Sequence, residues 1–175
     1  MEDLAQSAIK YSTGLGATYA EARVQKDLGN STVMKNGRPQ FSGFLRESGI
    51  GIRLIINGAL GFASTNNLTQ EGIKDTILSA ASMARVAATT MKKPIRLSNL
   101  QINQEKWEVK QKHNFGSIDE EQKLKLLQNL DKLFRKKRDV KFPSRILSIN
   151  ENLREQTFLN SEGTNITSKI PRVSF

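Results

Sequence analysis

The side chains best suited to covalent or metal chemistry are few and scattered. His113 is the only histidine and there is no cysteine, so neither a thiolate nor an imidazole-based zinc site can be assembled from this chain. His113 lies in an irregular polar stretch, with no Ser or Asp at a spacing that would pair a nucleophile with its base, and reads as a surface residue. Asn160-Ser161-Glu162-Gly163 sets a hydroxyl beside a carboxylate, yet no base is placed to activate it; a turn is all that it requires. Gly49-Ile50-Gly51 resembles half of a phosphate-binding loop, but no third glycine and no helix start follow, and a strand approached closely by another backbone accounts for it better. Arg135-Lys136-Lys137-Arg138 is a basic run at the end of a predicted helix, where the dipole favours cations, which weighs against a nucleic-acid patch. A carboxylate-only Ca²⁺ or Mg²⁺ site would need a loop rich in alternating acids, and none is present. No catalytic, cofactor-binding or metal-ligating residue is assigned.

The composition fits a globular domain of 175 residues, 37% hydrophobic and 25% charged, with a net charge of +10. That length allows one domain, or a domain with a smaller appendage. No apolar run approaches the roughly 18 residues that span a bilayer, and the acidic, polar start lacks the pattern of a secretory signal. The expected location is the cytoplasm, with no membrane partner. The basic charge concentrates between Met91 and Lys141 and raises nucleic-acid binding as an alternative function.

The elements that must position any site centre on Gly49–Thr69. Ile50, Ile52, Leu54 and Ile56 alternate as one buried strand face. Asn57-Gly58 then predicts a type I′ hairpin turn, and Ala59 to Ser64 returns with Leu60 and Phe62 on one face and Ala59, Gly61 and Ala63 on the other. Asn66, Asn67 and Thr69 offer N-caps for a helix to about Thr90, whose stripe is Ile73, Ile77, Ala80, Ala81, Ala84, Ala88 and Met91. Its alanines predict close approach to a sheet.

Before this unit, an amphipathic helix over Glu2–Thr13 presents Leu4, Ala8, Tyr11 and Leu15. Strands are predicted over Thr18–Lys26, Ser31–Lys35 and Phe41–Arg46, with Asn36-Gly37 as a second hairpin turn. After it, Ile95–Gly116 reads as a connection holding the lone Trp107 and a short strand near Lys106–Lys110. Ser117-Ile118-Asp119-Glu120 forms a capping box. It starts a helix whose apolar face is Leu124, Leu126, Leu127, Leu130, Leu133 and Phe134, limited by Pro143. Three short strands follow at Arg145–Glu151, Gln156–Asn160 and Thr164–Ser168, the last two joined by a turn at Gly163. Local hairpins without β-α-β alternation predict an α+β fold with a mixed or mainly antiparallel sheet, over a domain at 1–175 divided into 1–94, a connection at 95–116, and 117–175.

At GATYAEARV (Gly16–Val24), GIGIRLIINGALGFASTNNL (Gly49–Leu68) and FLNSEGTNIT (Phe158–Thr167), in this order and spacing, the chain resembles the N-terminal region of the TldD/PmbA family of metallopeptidases, over nearly its whole length. The resemblance implies intracellular proteolysis of peptides and small unfolded proteins by homodimers or heterodimers of related subunits. In the active subunit a His-Glu-x-x-x-His helix and a cysteine of the C-terminal half hold the metal, and no position of this sequence matches them. Zinc is therefore expected only in a C-terminal half or a partner subunit, and the chain alone is expected to be inactive. The expected role is subunit assembly and substrate docking. Two alternatives stay open: a free-standing protein-interaction module, or a basic nucleic-acid-binding module in line with the family's older association with DNA gyrase. The expected partners are a homologous subunit or the C-terminal catalytic half, with a peptide substrate. Because the family's chain would continue past Phe175, apolar surface and an unpaired strand edge are expected around Ile166, Ile170, Val173 and Phe175.

Overall fold

The computed structural model describes residues 1–98, 101–137 and 142–175. The elements are α1 (Glu2–Gly14), β1 (Tyr19–Lys35), β2 (Arg38–Ile56), β3 (Ala59–Thr65), α2 (Gln70–Thr90), β4 (Gln104–Glu108), α3 (Glu120–Lys136), β5 (Ile146–Asn160) and β6 (Asn165–Ser174). Among the described residues the strands pair in the order β3-β2-β1-β5-β6-β4. β3 is antiparallel to β2 and β4 is parallel to β6, so the sheet is mixed and the fold is α+β. No helix among the described residues is long and apolar enough to cross a membrane. Two compact units interleave along the chain: unit 1 is Met1–Lys26, Glu47–Glu108 and Glu155–Lys169, and unit 2 is Asp27–Arg46, Val109–Arg154 and Ile170–Phe175.

Three strand breaks expected from the sequence do not exist. Thr18–Lys26 and Ser31–Lys35 are one strand, β1; Phe41–Arg46 and the strand ending at Ile56 are one strand, β2; Arg145–Glu151 and Gln156–Asn160 are one strand, β5. Between β1 and β5 several polar residues are matched across the strands, while Asn30 Oδ1 and Thr32 Oγ1 are buried without a hydrogen-bond partner. In unit 2, Arg154 Nε donates to Asp27 Oδ1 at 2.8 Å, Ser31 Oγ donates to Asn150 Oδ1 at 2.7 Å, and Asn36 N donates to the Arg145 carbonyl at 2.9 Å. Numbers rise along β1 as they fall along β5, the mark of an antiparallel pair whose facing side chains satisfy one another.

The core of unit 1 follows the two periodicities of the sequence. Ile50, Ile52, Leu54 and Ile56 of β2 and Ala20, Ala22 and Val24 of β1 meet Ile73, Ile77, Ala80, Ala81 and Ala84 of α2. Gly61 shows how close α2 lies: a Cβ there would sit 1.9 Å from the Ala80 carbonyl oxygen. The alanine stripe permits that approach, while Leu60 and Phe62 point outward. Thr69 caps α2 by accepting from Gly72 N at 3.1 Å. In α1 the buried line is Ala5, Ala8 and Ser12, with Leu4, Tyr11 and Leu15 packed at its margin. Ser12 enters the core because its hydroxyl donates back to the Ala8 carbonyl at 2.8 Å, so no donor is orphaned. At the polar margin the Tyr19 hydroxyl donates to Glu21 at 2.7 Å. Burial, then this acceptor, push its pKa up to about 12.

Both Asn-Gly turns have the geometry that the sequence demands, with Asn36 and Gly37 at φ 51° and 80°, and Asn57 and Gly58 at φ 52° and 76°. Gly58 is doubly constrained, since a Cβ there would lie 2.5 Å from the Pro94 Cβ while its carbonyl accepts from Ile95 N at 2.8 Å. Gly58→Val should therefore lower stability by about 1–3 kcal/mol, from the positive φ alone. A chemical-denaturation midpoint unchanged within error would refute this account of the turn.

Candidate docking surface

Unit 2 is built around charges rather than around leucines. α3 begins at an N-cap two residues later than the capping box proposed: Asp119 Oδ1 accepts from Gln122 N at 2.7 Å. Its carboxylate, with Glu120 and Glu121, occupies the positive end of the helix dipole, while Ser117 N is engaged by the Asn114 carbonyl at 3.0 Å. Of the expected apolar face, Leu127 is buried and Leu124 packs beside it, but two of the buried positions are charged. The side chains that α3 buries are Lys123, Leu127 and Asp131, one turn apart, whereas Leu126 and Leu133 are 46% and 61% exposed. Lys123 Nζ pairs with Glu151 of β5, at 4% and 9% side-chain exposure. Asp131 accepts from Arg145 Nε at 2.8 Å and Arg135 Nε at 3.2 Å. Ions removed from water must be paired, and these pairs flank a small apolar cluster of Met34, Leu127 and Ile149.

Alternate residues of β5 face the other way, because side chains of a strand alternate. Asn150, Asn152 and Arg154, with Arg172, Val173 and Ser174 of β6, line an open groove of about 600 Å³. Asp27 holds Arg154 through two bonds, Nε to Oδ1 at 2.8 Å and Nη2 to Oδ2 at 3.2 Å. This hydrogen bonding raises the arginine's pKa further. Arg172 is exposed at the groove. β4 pairs with β6 only along Asn165–Lys169, so among the described residues the β6 edge from Ile170 to Ser174 has no strand beside it on that side. Val173 and Phe175 are 56% and 81% exposed. Ile166, in register with Glu105 of β4, and Ile170 are half-buried.

The residues that drew attention in the sequence are not brought together. His113 is exposed at a bend, and Trp107 is exposed on β4. Ser161 is a structural bracket, since its Oγ accepts from Ala20 N at 3.0 Å and its N donates to the Ala20 carbonyl at 2.8 Å. Asn160 Oδ1 closes the turn by accepting from Glu162 N and Thr164 N at 3.1 and 2.9 Å. Gly49 and Gly51 lie within β2, approached by the Thr65 carbonyl and the Phe62 ring. In the basic run, Arg135 is committed to Asp131, and Arg138 lies outside the described residues.

The zinc that the resemblance implies does not fit the side chains present. Among the described residues no three His, Cys, Asp or Glu side chains converge, and Asp27, Asp131 and Glu151 are consumed by arginine and lysine. Lys123 and Glu151 escaped the sequence reading because a charge at stripe spacing reads as a solvated face until its partner on another element is known.

Removing one member of the buried pair should cost more than removing both. Lys123→Met strands the Glu151 carboxylate and is expected to destabilise by about 3–5 kcal/mol, whereas Lys123→Met with Glu151→Leu should recover most of the loss. Urea denaturation of the two variants decides it. A double variant that loses as much as Lys123→Met or more would mean that the stranded Glu151 carboxylate carries no penalty.

Two family profiles match the chain: PmbA/TldA metallopeptidase domain 1 over residues 20–84, and the PmbA/TldA metallopeptidase central domain over residues 113–175. A metalloprotease of Methanocaldococcus jannaschii is 25% identical over 156 residues, covering 88% of this chain and 34% of that protein. Among solved structures, a candidate modulator of DNA gyrase from Bacteroides thetaiotaomicron superposes with a TM-score of 0.75 at 17% identity, covering 98% of this chain and 39% of that one. TldE from Thermococcus kodakarensis gives 0.75 at 19% identity, over 97% and 37%. At such identities the structures speak for the fold alone, and the chain spans about a third of the length of the curated relative that it matches. With both domain profiles matched in order and the fold shared along its length, the chain belongs to the PmbA/TldD family of metallopeptidases.

Proposed function

We propose that this chain is a non-catalytic portion of a TldD/PmbA-type metallopeptidase that acts in intracellular proteolysis, docking extended polypeptide and assembling with a catalytic half or a homologous subunit. The observation that carries this reading is the β6 edge at Ile170–Ser174, unpaired by β4 among the described residues, beside the groove of Asn150, Asn152, Arg154 and Arg172. A free edge offers backbone N–H and C=O groups to an incoming strand. The asparagines supply further donors and acceptors, and Arg172 supplies a cation for an acidic side chain or a terminal carboxylate. The hydrolytic metal belongs, on this reading, to residues outside this chain.

A fluorescently labelled, unfolded acidic peptide should bind the purified chain, and Arg172→Glu should weaken it by on the order of tenfold through loss and reversal of the charge. Absence of binding by the wild type, or indifference to the substitution, would remove the groove as a docking site. The dialysed protein should hold no stoichiometric zinc and cleave no peptide, because a zinc site needs three or four ligands that this chain does not bring together. One zinc per chain by elemental analysis would overturn the assignment of the metal elsewhere.

A further inference from the structure

Two polar side chains are buried on the face of β1 that α3 covers, and each has an oxygen left unmatched. Asn30 Oδ1 and Thr32 Oγ1 have no hydrogen-bond partner in the protein, although Asn30 is only 7% exposed and Thr32 is fully buried. Side chains of a strand alternate, so both share this face with Met34, which packs with Leu127 of α3 and Ile149 of β5. The register that sets Asp27 beside Arg154, Ser31 beside Asn150 and Asn36 beside Arg145 puts Asn30 opposite Glu151. Glu151 in turn holds the buried Lys123 ammonium. All four polar groups therefore gather under α3, within unit 2.

Their chemistry is complementary at one remove. An ammonium carries three N–H donors, and Glu151 is the one side-chain acceptor bonded to Lys123 Nζ among the described residues. Asn30 Oδ1 and Thr32 Oγ1 are acceptors without a donor, and leaving such atoms dry in an interior is costly. Whatever joins the two sets must accept from Lys123 and donate to both oxygens. A metal cation cannot accept and is repelled by the ammonium; an anion cannot donate and is repelled by Glu151. A neutral molecule with an accepting oxygen and two donating hydrogens fits, and three bonds are typical of a buried water. We infer that unit 2 contains a built-in hydration site, in which an internal water accepts from Lys123 Nζ and donates to Asn30 Oδ1 and Thr32 Oγ1. This water completes the ion pair that seats α3, and it does not depend on the peptide-docking reading.

A high-resolution crystal structure of the chain and the stability of variants at Thr32 test it together. Electron density should show a water within hydrogen-bond distance of Lys123 Nζ, Asn30 Oδ1 and Thr32 Oγ1. Thr32→Val, which exchanges the hydroxyl for a methyl group, should lower the folding equilibrium constant by roughly fivefold in urea titrations, because the water loses an acceptor. Thr32→Ser keeps the hydroxyl and should retain the water. In a Lys123→Met, Glu151→Leu background the water has lost its donor, so there Thr32→Val should be neutral or stabilising. A purely steric role for the Thr32 side chain would not produce that change of sign. A dry site, a direct bond from Lys123 to either oxygen, or a Thr32→Val effect that is the same in both backgrounds would overturn the proposal.

Discussion

A carboxylate taken out of water must meet a cation, and unit 2 is arranged to satisfy that requirement. Its fully apolar centre is small, Met34, Leu127 and Ile149, too little to fix a 17-residue helix by burial alone. Lys123–Glu151 and the Asp131–Arg145 pair locate α3 against β5 and the segment that leads into it, and they do so specifically, because sliding the helix by one turn would separate both pairs. Asp27–Arg154 performs a similar office on the other face of β5, where it fixes one wall of the groove. What faces outward from unit 2, both the groove and the exposed Leu126 and Leu133, is therefore set by where the ions pair.

Unit 1 is held by the opposite economy. Its helices and strands meet through alanine, glycine and branched aliphatic side chains, and closeness substitutes for bulk: at Gly61 the backbone of α2 leaves no room for a methyl group. Small side chains lose little conformational entropy on burial, and dense contact recovers in dispersion what they lack in area.

The sequence was most legible where stereochemistry acts locally. Asn36-Gly37 and Asn57-Gly58 announced their turns because few other residues tolerate positive φ, and the strand face of Ile50 to Ile56 and the alanine stripe of α2 carried their periods openly. Legibility failed where the deciding partner is distant in sequence. Asp27 fell between two predicted strands because the residue that complements it, Arg154 of β5, lies more than a hundred positions away. In α3 Leu127 goes inside as its period predicts, but its buried companions Lys123 and Asp131 were not foreseen, because their ion partners sit on or near β5. No candidate catalytic residue was expected and the groove was not anticipated, since its members are ordinary polar residues of two strands that acquire meaning only side by side.

The link between the Gly58 turn and the chain leaving α2 bears on how copies of this protein can and cannot combine. Thr69 anchors the start of α2 just after β3, and the Ile95–Gly58 hydrogen bond, reinforced by the contact of Pro94 with Gly58, anchors the chain beyond its end to the hairpin below. A helix tied at both ends to the same hairpin has no hinge about which to swing. Domain swapping, in which one copy lends an element to another through an open linker, is thereby disfavoured for α2.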